Sequence, residues 1–177
     1  MKTTDKYLFQ ALDNYPFWLE GTIESLDYAF SYDDKNTMVL CLYVRIQAEQ
    51  LMNYEEAKSY FQKALAINIH ALEVYPYYLK TLILNEDYEE AQKLINFALT
   101  VKGINKSEIY INKAILLEVQ YKFKDALKEI KQAKLYSIQN DYDSGISEVE
   151  KRIKGKIDLL KKKEEKKTKK GSEKKSK

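Results

Sequence analysis

Ala57-Lys58-Ser59-Tyr60-Phe61-Gln62-Lys63-Ala64 returns as Ala91-Gln92-Lys93-Leu94-Ile95-Asn96-Phe97-Ala98 and again as Ala126-Leu127-Lys128-Glu129-Ile130-Lys131-Gln132-Ala133. The first alanines step by 34 and then 35 residues, the period of a helical-hairpin solenoid. Within each copy a small residue at either end and a bulky one between them fall on one stripe of a 3.6-residue helix: Ala57, Phe61 and Ala64; Ala91, Ile95 and Ala98; Ala126, Ile130 and Ala133. Small ends let a neighbouring helix approach while the large side chain fills the gap, so these segments are expected to be the buried second helices of hairpins.

An aromatic residue stands three positions ahead of each first alanine: Tyr54, Tyr88 and Phe123. Asn53 and Asp87, just before two of them, are expected to cap the helix starts, and Glu55-Glu56 and Glu89-Glu90 suit the positive end of the helix dipole. The third copy, Lys122-Phe123-Lys124-Asp125, lacks the cap, which predicts a looser turn. Upstream, Met38 to Gln50, Leu72 to Asn85 and Glu108 to Gln120 are helix-length and apolar nearly all round, as first helices packed on two sides would be. Pro76 is tolerable only in a first turn, so the middle one begins near Tyr75 or is kinked there. With two prolines and five glycines in 177 residues, turn-formers are too scarce for a sheet protein.

A partial earlier copy appears in Thr22, Leu26 and Ala29, 35 residues ahead of the Ala57 stripe. It follows Tyr15-Pro16 and a short upstream helix from about Asp5 to Leu12, and Trp18 is expected to fill the core at that end. After the last copy, Gln139 to Asp143 reads as a connector into a helix whose narrow stripe is Ile146, Val149, Ile153, Ile157 and Leu160. Such a stripe suits a helix capping the open end of a stack, and a coiled-coil dimer seam carries the same pattern. Residues 161–177 hold ten lysines and three glutamates, leaving 20 basic and 24 acidic groups elsewhere: a mildly acidic body with a strongly basic tail. With no apolar residue after Leu160, the tail is expected to be disordered. The organisation so read is a degenerate helical repeat at 1–36, three repeats at 37–71, 72–105 and 106–138, a capping helix at 139–160 and the tail at 161–177.

Over residues 37–138 the chain resembles the tetratricopeptide repeat family, with its 34-residue hairpin, its aromatic at the turn and its Ala-x-x-x-bulky-x-x-Ala second helix. It departs from that pattern at Arg45 and Leu79, where the family has a small residue that only Ala114 preserves, and in lacking the customary turn glycine. The resemblance implies an all-α, right-handed α-solenoid with a C-terminal cap, whose first helices line a concave groove. It places Val39, Leu42, Ile46, Glu49 and Gln50 there from the first full repeat, Glu73, Pro76, Lys80, Ile83 and Leu84 from the second, and Glu108, Ile111, Ile115, Glu118 and Val119 from the third. More than half are apolar. Either a partner's helix or peptide lies on them, with Glu and Lys at the rim, or the chain's own helices bury them. Only Lys80 is basic among these positions, so a carboxylate clamp of the kind some family members use is not supported.

These features point to a non-catalytic protein-interaction scaffold or adaptor. Its one histidine, His70, has no second histidine or cysteine at metal-ligand spacing, and no phosphate-binding glycine loop or nucleophile elbow is present. Catalytic, cofactor and metal residues are therefore expected to be none. Cys41, between Leu40 and Leu42, is expected to be a buried, inert thiol, and a lone cysteine agrees with a reducing compartment. No stretch is apolar enough to span a membrane and no cleavable leader is evident, so a cytoplasmic location is expected. The 15 tyrosines, Tyr75, Tyr77 and Tyr78 among them, are read as rings packed between helices. Two other readings stand beside the adaptor: a tail that binds nucleic acid, ribosomes or another polyanion with the solenoid as spacer, and a homo-oligomer formed through the last helix or the open ends.

Overall fold

The computed structural model describes residues 3–138 and 143–173. Among them lie nine helices and no strand: α1 (Thr3–Asn14), α2 (Leu19–Tyr32), α3 (Thr37–Glu49), α4 (Tyr54–Ile67), α5 (Val74–Leu84), α6 (Tyr88–Ala98), α7 (Lys106–Val119), α8 (Phe123–Tyr136) and α9 (Asp143–Glu173). Successive helices pair as hairpins, so the chain is an all-helical α-solenoid of helix-turn-helix repeats. It divides into two compact units, one ending at Ile104 and one beginning at Asn105.

In the first unit the second helices α4 and α6 bury their stripes completely, Ala57, Phe61 and Ala64 on one and Ala91, Ile95 and Ala98 on the other. Removing a side chain the size of Phe61 from water stabilises by about 2–3 kcal/mol, and the flanking alanines make room for the neighbouring helix. The N-terminal hairpin is complete, with α1 spanning 12 residues, and α2 buries Thr22, Leu26 and Ala29 in the register of the later stripes. Leu8 and Ala11 of α1, Leu26 and Ala29 of α2 and Val39, Leu42 and Ile46 of α3 form one core. Trp18 does not fill it. The indole is 56% exposed, and its ring lies where a Cβ on Gly21 would fall, 2.5 Å away. It acts as a lid on the first turn of α2, where only glycine leaves room for it.

Two capping expectations fail at the first unit's turns. Neither Asn53 nor Asp87 accepts from its helix start. The Asp87 carboxylate instead takes Lys58 Nζ at 2.7 Å and Asn85 Nδ2 at 2.7 Å, while Asn53 Nδ2 donates to Glu56 at 2.6 Å. A charged partner outbids a backbone N–H that water can satisfy. Side-chain caps occur on first helices: Asn36 Oδ1 accepts from Met38 and Val39, and Asn105 accepts from Glu108. Pro76 falls in the first turn of α5, where its missing N–H is harmless.

In the second unit α8 buries Ala126, Ile130 and Ala133 beside Ala114 of α7 and Ile146, Val149 and Ile153 of α9, a single core of three helices. The Ser107 hydroxyl donates to the Ala133 carbonyl at 2.9 Å and ties the start of α7 to the end of α8. The turn between them is not looser than the others. Tyr121 takes φ 61° as Glu86 takes 63°, and the bonds match: Tyr121 N–H to Glu118 and Lys122 N–H to Leu117, against Glu86 to Ile83 and Asp87 to Leu82. Both are Schellman closures, built from backbone, so the missing cap leaves them unchanged. Their left-handed residue stands where glycine would be unstrained. Helix α9 continues past Leu160 to Glu173, so residues 161–173 are helical where disorder was expected. Straight-chain Lys and Glu lose little freedom in a helix, and no proline interrupts them. Residues 139–142 of the expected connector and 174–177 of the tail lie outside the described residues.

Candidate functional site

The structure sorts the expected groove residues by whether the chain covers them. Val39, Leu42 and Ile46 are buried in the core beneath α1 and α2, and Ile83 is buried as well. On the side that α1 and α2 cover, Val39, Leu42 and Ile46 cannot touch a partner while the unit stays folded, because that hairpin supplies their neighbours. What remains open in the first unit is the rim of the same face: Gln50, Lys80 and Leu84 are exposed, the last 49%, and Glu49, Glu73 and Pro76 are half-buried.

Around Glu49 the rim becomes a network. One oxygen of its carboxylate takes Lys80 Nζ at 2.7 Å from α5, and the other accepts the Tyr15 hydroxyl from the α1–α2 turn. Arg45, one turn back on α3, lies 4.0 Å from that carboxylate, and its guanidinium stacks 4.0 Å from the centre of the Tyr77 ring and 4.9 Å from that of Tyr15. A flat, weakly hydrated cation between two ring faces is held by their quadrupoles, so Arg45 Nε sits buried without a hydrogen bond. Burial pushes the Glu49 carboxyl up. The hydrogen bonds from Lys80 and Tyr15 and the charges of Lys80 and Arg45 together outweigh it and hold the group below its ordinary range. The Tyr15 phenol is pushed up by burial and by the adjacent carboxylate.

Arg45, Tyr15 and Tyr77 were not among the expected site residues. Arg45 shows in the sequence as a departure, a long cation where the repeat prefers a small side chain, and as the i,i+4 partner of Glu49. The usable signal is spacing: Tyr15 precedes Glu49 by 34 residues, one repeat, so successive repeats bring them side by side.

In the second unit Ile111 and Ile115 of α7 are half-buried and Val119 is 36% exposed. Glu118 is closed. Its carboxylate is 2% exposed and takes Arg152 in a two-pronged pair, Nε at 2.9 Å and Nη2 at 2.7 Å, with Lys156 Nζ at 2.7 Å. Burial pushes this carboxyl up, but the bonds and charges of Arg152 and Lys156 bring it below its ordinary range. Here the cap helix α9 occupies the rim.

Among the described residues no group of three or more His, Cys, Asp or Glu is placed to hold a metal ion. His70 lies exposed after α4, its backbone N–H on Asn68 Oδ1 at 2.9 Å. Cys41 is buried and reduced, and burial pushes its thiol up to about 12. No described helix is long and apolar enough to cross a membrane.

No protein-family model matches the chain, and no curated protein matches it. Among solved structures it is similar to PilF of Pseudomonas aeruginosa, at 16% identity and a TM-score of 0.63 over 89% of this chain and 76% of that one. A likeness at that identity shows the fold alone, a tetratricopeptide-like stack of helical hairpins.

Proposed function

We propose that the protein is a non-catalytic scaffold that holds a peptide or helix of another protein against the open side of its first helices. One observation carries this reading: Tyr15, Arg45, Glu49, Tyr77 and Lys80, from three successive hairpins of the first unit, converge in one half-open network. Exposed Leu84 stands one turn beyond Lys80 on α5. A partner's polar groups can exchange for the Lys80–Glu49 pair while an apolar side chain covers Leu84. Rigid helices hold these groups before binding, which lowers the entropy that binding costs. Buried Val39, Leu42, Ile46 and Ile83 then serve as the floor that fixes the rim, and the partner does not touch them. In the second unit Ile111, Ile115 and Val119 offer an apolar strip on α7 for the same use.

Support for the absence of catalysis is the raised, buried Cys41 thiol and the solitary His70, neither beside a group that would activate it. A cytoplasmic setting is supported by a single cysteine that has no internal disulfide partner. The test is capture of partners by the full-length chain, repeated with Lys80→Glu/Leu84→Asp and with Ile115→Asp, each checked for native helicity. Loss of a partner on the first double change is expected, and capture unaltered by every variant would sink the reading.

A further inference from the structure

Phe30 of α2, Tyr43 of α3 and Tyr60 of α4 wall an open pocket of about 220 Å3, floored by Val39 and Leu40 and edged by Asp27. It lies between second helices of the first unit, away from the Glu49 network. Tyr43 and Tyr60 meet edge to face with centroids 5.7 Å apart, and Phe30 is 44% exposed. A cavity of about 150 Å3 is enough for benzene, so this one admits a branched aliphatic side chain.

Its edge on α2 is acidic. From Tyr7 to Asp34 the chain carries six carboxylates and no Lys, Arg or His. Glu24 and Asp27, with Tyr28 and Ser31, line a shallow depression on α2 that shares Asp27 with the pocket. Among the described residues neither carboxylate is in an ion pair. Lys63 Nζ already lies 4.7 Å from the centre of the Tyr60 ring, so one wall of the pocket faces a cation in this chain. The ligand that fits is a bulky aliphatic side chain followed directly by cations.

The chain itself contains that ligand. On α9 the buried stripe ends at Ile153, with Ile157 half-buried, and Leu159 and Leu160 stand 62% and 44% exposed. Lys161 and Lys162 follow at once, exposed, at the head of the segment with ten lysines and three glutamates. We propose that Leu159-Leu160-Lys161-Lys162 of a second copy docks in this pocket, Leu160 on the aromatic walls and the lysines on Glu24 and Asp27. The two patches differ, and each copy offers one pocket and one helix end, so copies join either reciprocally as a closed dimer or head-to-tail into a larger assembly. This goes beyond the scaffold reading and does not depend on it.

The experiment is sedimentation velocity on full-length protein over a roughly hundredfold concentration range, at low and high salt. The wild type is expected to gain mass with concentration and to lose it in high salt. A pocket variant, Asp27→Lys/Phe30→Ala, and a helix-end variant, Leu160→Ser/Lys161→Glu, are each expected to associate at least about tenfold more weakly, as loss of a central apolar contact and a charge reversal should produce. Mixed, they restore one working pocket and one working helix end, and the mixture should form a complex of one copy of each and stop there. The single exposed change Glu24→Lys carries the same direction of effect should Phe30→Ala disturb α2. A wild type monomeric at every concentration, variants that associate as the wild type does, or a mixture that recovers nothing each overturn the proposal.

Discussion

Glu49 and Glu118 hold the same place in their repeats, 69 residues or two periods apart, and the two units use them in opposite ways. In the first unit Glu49 is answered by Lys80, whose side chain is 54% exposed, and by Tyr15, so the carboxylate stays at a rim that solvent reaches. In the second, α9 brings Arg152 and Lys156 over Glu118 and closes it. The position in a repeat fixes where a side chain points. What packs next decides whether it stays at a rim that solvent reaches or locks the chain's own cap.

The largest effect should come from the covered floor. Leu42→Asp places a charge among Leu8, Leu26 and Ile46 and is expected to cost more than about 4 kcal/mol, enough to unfold the first unit, whereas exposed Leu84→Asp should cost less than about 0.5 kcal/mol. Urea titrations of the two variants measure the contrast directly. If both are tolerated, the floor is open and the sorting of groove residues is wrong.

Next comes the closed carboxylate. Glu118→Ala removes the carboxylate that Arg152 and Lys156 share and is expected to cost about 2–3 kcal/mol, while Glu49→Ala, whose partner Lys80 is 54% exposed, should cost less, about 1–2 kcal/mol. A pH series sharpens this. Glu118 is held below its ordinary value near 4.5 in the folded chain, so its stabilisation is full above that value and fades as pH falls through the lower, folded value. Stability should therefore drop more steeply below about pH 4.5 in the wild type than in Glu118→Gln, which has no proton to take up there. Equal slopes would mean that the cap pair adds nothing.

The smallest effect tests what the two units share. Glu86 and Tyr121 sit at φ 63° and 61° in equivalent Schellman turns, where a Cβ is strained. Changing either to glycine should stabilise by up to about 1 kcal/mol, raising the midpoint of thermal unfolding. A fall in either midpoint would show that the side chain contributes more than its backbone costs.

Much of this architecture is legible in the alanine stripes. Spacing reports which face of a helix seeks burial, and Phe61, Ile95 and Ile130 are buried as their spacing requires. Spacing does not report which neighbour does the burying. For the groove positions Val39, Leu42 and Ile46 the sequence left two readings, a partner or the chain's own helices, and the covering hairpin of α1 and α2 decides for the second, because α1 lies outside the clear repeats and its packing is not written in their spacing. The caps went astray for a similar reason: Asp87 has the right residue type, but Lys58, 29 residues earlier, claims its charge. The stacking of Arg45 was hidden because its partners there are ring faces, and no donor-acceptor pattern in the sequence marks those.

Cys41 gives the first unit a built-in clock. The thiol is buried on α3, its Sγ 3.9 Å from the Glu73 carbonyl beside the start of α5, and with its thiol pushed up to about 12 it is almost wholly protonated near neutral pH. A thiol reagent can therefore reach it only when the packing of α3 opens. With a single cysteine in the chain, the labelling rate of the unmodified protein reports how often that opening occurs, and a peptide docked on the rim should slow it by the free energy with which it binds.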